Sequence, residues 1–327
     1  MNETASGPTT SVTGSAIGID IGGTKIFGGV VDANGTIIDT ERRDTPTIGG
    51  MATVERIAEV ARTLASRNEV SEVGVSLAGF ISKDRKRMET NPNIANMKGL
   101  AIHDELERAT GLEIHLENDA NCAAWGEYRF GAGRGANPMM MITVGTGIGG
   151  GLIIDGKLLI GAFGTAGEMG HVPVVPNGEI CGCGMRGCLE QYASGNALRR
   201  YVTKAIEGAP ALGSKILSLG DGTISGIEGP QITTAARQGD AIALQAFNEI
   251  GEWLGYAISG FVSMIDPACV VIGGGVIEAG ELLLEPIRAS VKKHSPMRTS
   301  HEMPEILAAE LGNAAGIVGV ADLARIA

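Results

Sequence analysis

Two stretches lying far apart in this 327-residue chain follow one plan. In AIGIDIGGTKIFGGVVDANGTIID, apolar and β-branched runs are broken by Gly22-Gly23 and then by Asp32-Ala33-Asn34-Gly35, the pattern of a strand, a glycine turn, a strand and a hairpin. MMMITVGTGIGGGLIIDGKLLIG repeats it, with Gly145-Thr146-Gly147 at the turn and Asp155-Gly156 at the hairpin. Such self-similarity predicts an internally duplicated fold. The length also exceeds what one small core needs, so two lobes are expected.

Outside the two copies, strand and helix patterns alternate. Val54, Ile57, Ala58, Ala61, Leu64 and Ala65 recur at helical spacing and precede a strand around Val70 to Ala78. A shorter helix around Ile102 to Ala109 stops at Gly111, and Glu113 to Glu117 reads as the next strand. Asp240 caps a long apolar helix that reaches Ile265 and ends before Pro267, CVVIGGGV reads as a strand, and NAAGIVGVADLARIA as a closing helix of small residues. The alternation predicts an α/β fold of two lobes on mixed sheets, with a ligand cleft between them. The expected divisions are a flexible tail over 1–15, a small lobe over 16–117 plus 313–327, and a large lobe over 118–312, with a hinge near Asn118.

A net charge of −11, from 37 acidic and 26 basic residues, repels phosphodiester backbones and anionic lipid surfaces. Neither nucleic acid nor a membrane is an expected partner. No apolar run reaches the ~20 residues of a spanning helix, and MNETASGPTTSVTGS has neither the basic start nor the apolar centre of a secretory signal. A cytoplasmic protein is expected. Glycine fills 50 positions, against roughly 7% in ordinary proteins, so many backbone sites need tight turns or close approach to a ligand.

A glycine turn between strands lets backbone N–H groups reach phosphate oxygens, and Thr24 and Thr146 can add hydroxyl donors. Two such turns could grip one polyphosphate from two sides, although hairpin glycines often bind nothing. Gly145-x-Gly147-x-x-Gly150 matches the dinucleotide fingerprint only in its spacing, because a strand pattern follows where a helix is required. Lys25 lacks the Walker spacing. Gly273-Gly274-Gly275 has two readings: a surface for a flat nucleoside ring, or a tight strand-to-helix turn.

Five cysteines, three of them crowded together, do not suit a disulfide framework. His171, Cys181, Cys183 and Cys188 form H-x9-C-x-C-x4-C, four ligands suited to tetrahedral zinc. Four protein ligands leave no open position, so the expected role is structural: the metal builds a loop and fixes the second nitrogen of His171 toward a substrate hydroxyl. Glu168 and Glu190 would be held nearby, a set suited to a polyhydroxylated ligand. Cys122, Cys269 and the run Met139 to Met141 read as core, and His103, His115, His294 and His301 receive no role.

Glu117-Asn118-Asp119-Ala120-Asn121 closes a strand and opens a helix, so Asp119 is either an N-cap or a general base taking a proton from an alcohol that attacks a γ-phosphorus. DIGGTK at 20–25, END-AN at 117–121, TVGTGIGGG at 143–151, GEMGH at 167–171, CGCGMRGCLE at 181–190 and VIGGGV at 271–276 resemble bacterial glucokinases of the ROK family (repressors, open reading frames, kinases) from Ile17 to Ala327. The resemblance implies an actin-like, hexokinase-type fold (a duplicated ribonuclease H-like unit), ATP with Mg²⁺, zinc and a sugar substrate.

Residue by residue, it implies Asp119 as the base for the sugar 6-hydroxyl, with Gly79, Asn93, Asn118, Glu168, His171 and Glu190 as further sugar-side positions. Asp20, Gly22, Gly23, Thr24 and Lys25 match the first phosphate segment, Thr146 and Gly147 the second, and Gly273, Gly274 and Gly275 the adenosine segment. Ala78-Gly79 departs from the family's frequent Pro-Gly. Glucose is the expected substrate, with N-acetylmannosamine, mannose, fructose or allose as alternatives and polyphosphate as an alternative donor. A sugar-responsive repressor is the rival class, but only 19 residues precede Asp20, too few and too polar for a helix-turn-helix domain. A homodimer or homotetramer is expected.

Overall fold

The computed structural model describes residues 14–296, 299 and 302–327, so most of the expected tail, and His301, lie outside the described residues. In chain order the first strands and helices are β1 (Ala16–Ile21), β2 (Lys25–Val31), β3 (Ile37–Asp44), α1 (Met51–Asn68), β4 (Glu72–Leu77), β5 (Phe80–Ile81), β6 (Met88–Thr90), α2 (Ile102–Thr110), β7 (Glu113–Asn118) and α3 (Asp119–Phe130). The plan then restarts with β8 (Met139–Val144), β9 (Ile148–Ile154) and β10 (Lys157–Leu158). There follow α4 (Glu190–Ala193), α5 (Gly195–Gly208), α6 (Ser214–Ser218), α7 (Gly229–Arg237), α8 (Ala241–Ile265), β11 (Cys269–Gly273), α9 (Glu281–His294), β12 (Glu305–Ala308) and α10 (Ala315–Ile326).

The duplication read from the glycine turns is present in the topology. One five-stranded sheet runs β3-β2-β1-β4-β7 and the other β10-β9-β8-β11-β12, the same order in each copy. In the first sheet β2 is antiparallel to β1 and β3, whereas β4 is parallel to β1 and to β7. Two mixed sheets with helices between their strands give the expected duplicated, actin-like α/β architecture.

The backbone divides into two compact units. One runs to Met139 and adds Gly151–Gly167 and Glu310–Ala327; the other comprises Met140–Gly150 and Glu168–Ala309. Each forms around its own sheet because the central strands β1, β4, β8 and β11 are buried almost throughout and have both faces to cover, whereas the edge strand β3 alternates. In the first unit Val54, Ile57, Ala61 and Leu64 of α1 and Ile102 and Leu106 of α2 pack with Ile17, Ile19, Val73 and Val75 of the sheet, all buried. Ile317, Val318 and Ala321 of α10 join Ala16 and Val31 in a separate buried cluster. The last helix thus lies in the first unit. It also packs closely on α3, because a Cβ on Gly319 would lie 1.8 Å from the Cys122 carbonyl oxygen.

Helix ends follow the sequence signals. Gly111 takes a left-handed conformation, φ 70°, after α2, and the Asp240 side chain accepts from the Ala243 N–H at 3.0 Å to start α8. Cys122, Cys269 and the three methionines of β8 are buried as expected, and burial pushes both thiols above their ordinary range. Among the described residues no helix is long and apolar enough to cross a membrane.

Candidate active site and metal centre

Because β1, β4 and β7 are parallel, their carboxyl ends share one edge, the usual place for a ligand in such a sheet. The first unit brings Asp20, Gly22 to Lys25, Gly79, Asn93, Asn118 and Asp119 to that edge. Gly22 N donates to the Lys25 carbonyl at 2.9 Å, and the Thr45 hydroxyl donates to the Gly22 carbonyl at 2.7 Å, closing the first glycine turn. Gly23, Thr24 and Lys25 are left exposed. The Asn93 carbonyl oxygen lies 3.4 Å from where a Cβ on Gly23 would sit, and Asn118 Nδ2 donates to the Gly79 carbonyl at 3.1 Å.

Asp20, at the end of β1, accepts a 2.9 Å bond from the Ser76 hydroxyl on β4. Burial raises its carboxyl above the ordinary value, while Ser76 and then Lys25 oppose the rise.

Asp119 is not the helix cap. Asn118, with an extended backbone at φ −65° and ψ 143°, places Oδ1 2.9 Å from Ala120 N and 3.1 Å from Asn121 N. Asparagine suits this position because its short side-chain carbonyl reaches the orphan amide donors of the first turn. Asp119 is the first helical residue, and its Oδ1 accepts from Ala120 N at 2.9 Å. The residue is exposed at the surface, yet protein packed around its carboxyl on the other sides removes enough hydration to push the pKa up to about 6. The Ala120 N–H opposes that rise and the charge of Asp20 adds to it.

The second unit gathers the thiols. One ligand atom each from His171, Cys181, Cys183 and Cys188 lies within 4.8 Å of all the others. Cys181 Sγ is 3.6 Å from His171 Nδ1, and Cys183 Sγ is 3.7 Å from Cys188 Sγ. Tetrahedral zinc with Zn–S of about 2.3 Å and Zn–N of about 2.05 Å places sulfurs about 3.8 Å apart and S···N at about 3.6 Å. The two spacings fit that geometry, and all four groups are of the right chemical type. The sulfurs are free thiols. Burial and then the neighbouring Cys183 and Cys181 sulfurs push the Cys188 thiol up to about 12, a crowding that a divalent cation relieves. His171 closes a short 3₁₀ turn over Met169–His171, whose start is Glu168.

Glu190 opens α4 and ties this loop to the second glycine turn. Its Oε2 accepts from Ile148 N at 3.0 Å, and its Oε1 lies 3.7 Å from Cys181 Sγ. A Cβ on Gly147 would lie 2.2 Å from the same Oε2. A side chain at 147 would therefore push the Glu190 carboxylate off Ile148 N, a consequence its spacing could not reveal. Thr146 is exposed, and the Gly145 carbonyl accepts from Gly195 N at 2.8 Å, bringing the start of α5 to the turn. Gly273-Gly274-Gly275 ends β11; Gly274 has φ 81°, and a Cβ there would lie 2.5 Å from the Val144 carbonyl oxygen. The third glycine cluster thus lies beside the end of β8.

Several supporting groups escaped the sequence reading. Ser76, Thr45 and Ser194, the last capping α5 through a 3.2 Å bond from Ala197 N, occur in segments that read simply as strand or turn. Arg85 reaches Glu117 at 3.0 Å from a hairpin whose charge pattern, KDRKR, gives no hint of a buried partner.

The ROK family model matches residues 16–327. The glucokinase of Streptomyces coelicolor is 44% identical over 312 residues, covering 95% of this chain and 98% of its own length. That of Thermotoga maritima is 37% identical, covering 94% of this chain and 96% of its own. A crystal structure of a ROK family glucokinase from Streptomyces griseus, in complex with glucose and AMPPNP, superposes with a TM-score of 0.87 at 45% identity, covering 96% of this chain and all of that one. With duplicated sheets, an END turn and a Cys₃His loop common to one chain that the family model spans almost end to end, this protein belongs to the ROK family.

Proposed function

We propose that this protein is an ATP-dependent hexose kinase that phosphorylates the 6-hydroxyl of glucose, with Asp119 as general base. The observation that carries the reading is the turn at β7 and α3. Asn118 does the capping, leaving Asp119 with a carboxyl lifted to about 6, a value suited to accepting a proton near neutral pH.

In this reading Asp119 takes the hydroxyl proton as that oxygen bonds to the γ-phosphorus and the β–γ bridging oxygen leaves with ADP. Asn93, Asn118, Glu168, His171 and Glu190 orient the sugar. Gly22, Gly23, Thr24 and Lys25, with Thr146 and Gly147, offer N–H, hydroxyl and ammonium donors to the phosphates, and Gly273, Gly274 and Gly275 border the adenosine. Asp20 would face Mg²⁺ carried by ATP, an ion whose contribution is to offset phosphate charge.

His171, Cys181, Cys183 and Cys188 would hold zinc as a structural ion, leaving His171 Nε2 directed at a sugar hydroxyl. Closure over the sugar would keep water from competing as acceptor. The same reading places the enzyme in the cytoplasm as a homodimer or homotetramer.

The test is a panel of glucose, mannose, fructose, allose and N-acetylmannosamine against ATP and polyphosphate. The reading expects the highest kcat/KM for glucose with ATP. A clear preference for another hexose would keep the kinase and discard glucose; no transfer to any hexose would discard both.

A further inference from the structure

Glu117 is almost wholly buried, 2% exposed, yet it is surrounded by donors. Its Oε1 accepts from Asn118 N at 2.8 Å and from Asn121 Nδ2 at 3.0 Å, and its Oε2 accepts from Arg85 Nε at 3.0 Å. One carboxylate thus grips the chain immediately before Asp119 and again two residues after it. Asp119 is pinned from both sides.

Arg85 is itself set in place. It lies in a left-handed conformation, φ 58°, and its N–H donates to the Ser82 carbonyl at 2.8 Å in the turn between β5 and β6. The Ser82 hydroxyl, bonded to Asp84 at 2.5 Å, also accepts from Arg87 N at 3.0 Å, which locks that turn. A lone buried carboxylate is costly unless paired and hydrogen-bonded. The guanidinium supplies the countercharge, and the two amide donors fill the other oxygen.

We propose that Glu117, held by Arg85, is a positioning residue that fixes the rotation and advance of the first turn of α3 and so aims the Asp119 carboxylate at the hydroxyl it deprotonates. The inference rests on the kinase reading for its activity arm and on geometry alone for its structural arm. Misplacing a reacting group by about 1 Å can cost about 100-fold in rate. Binding of ATP, which does not involve this turn, should barely move.

The test uses the full-length protein and the variants E117Q, R85Q and R85K. In E117Q, hydrogen exchange of the amides from Asn118 to Asn121 should quicken at least about tenfold, with α1 unchanged. The kcat per folded molecule should fall about 100-fold, with the KM for ATP within about twofold. R85Q should reproduce both effects, and R85K, which keeps the charge, should recover most of the lost kcat. Should E117Q fail to fold, the contrast of R85Q with R85K decides alone. Unchanged exchange at the turn overturns the clamp, and faster exchange with unaltered kcat overturns the positioning role. A wild-type protein inactive on every hexose overturns the kinase reading instead, while the exchange data still judge the clamp.

Discussion

The two sheets share a strand order but furnish their strand ends differently. In the first, the edge beyond β1, β4 and β7 carries carboxylates: Asp20 under the Ser76 hydroxyl, Glu117 under Arg85, and Asp119 at the head of α3. In the second, the ends of β8 and β11 carry glycines, and the Glu190 carboxylate that bonds there arrives on a loop built by three cysteines and a histidine. The difference is physical. A carboxylate that must handle a proton needs burial and partners to tune it, whereas a phosphate grip needs bare backbone N–H groups and room. On the kinase reading the first sheet would add the proton-handling carboxylates to its own glycine turn at Gly22 to Lys25, and the second would offer glycine turns beside the cysteine loop, so damage to the two units should register in different observables.

The largest separation should come from Asp119→Asn. Loss of the base should lower kcat by about 10³-fold or more, while glucose affinity, read by calorimetry, stays largely intact. Near-normal turnover would remove the proton chemistry from the first unit and erase the contrast. The second unit should fail in the opposite sense. Cys183→Ser, or chelation, should abolish stoichiometric zinc by mass spectrometry and weaken glucose binding by about 10- to 100-fold, leaving amide protection of β1 and β4 unchanged. Full metal loss with unaltered affinity would reduce the loop to scaffolding.

Much of this contrast was visible in the sequence, for reasons of range. Strand, turn and cap signals act over a few residues, so the duplicated glycine turns, the helix stop at Gly111, the Asp240 cap and the cysteine spacing could all be read locally. What escaped depends on residues that meet only after folding. Cap competition between Asn118 and Asp119 turns on backbone angles. The carboxylate that a side chain at 147 would displace belongs to Glu190, 43 positions along the chain, and the charge that steadies Glu117 comes from a surface-like hairpin at Arg85. A sequence displays ligands of one loop together; it does not display a partner brought in by another strand.

The pH response sharpens the comparison on a smaller scale. Asp119 rises from 3.8 to about 6 in the folded protein, so kcat/KM should drop about tenfold per pH unit below that point. Stability should run the other way. Because the folded state holds this proton more tightly than the open chain, its contribution is complete below pH 3.8 and is lost as pH rises through about 6. Asp119→Asn, neutral throughout, should therefore gain on the wild type in urea titrations from about pH 4 to about pH 6 and hold a level lead above about pH 7. A constant difference would mean that Asp119 keeps its ordinary pKa.

The smallest expected effects distinguish the two readings of the third glycine cluster. Gly274 is doubly constrained, by φ 81° and by the Val144 carbonyl oxygen 2.5 Å from any Cβ, whereas a Cβ on Gly275 meets nothing within 4 Å. Gly274→Ala should therefore cost about 1–3 kcal/mol of stability, measured by denaturant unfolding, whatever the nucleotide does. Gly275→Ala should leave stability nearly unchanged, so any rise in its KM for ATP reports a ligand that approaches the backbone. If Gly275→Ala is silent in both measurements, the cluster is only the tight turn that ends β11, and the proposed adenosine contact falls while the proposals for the cysteine loop and the Gly145 turn are untouched.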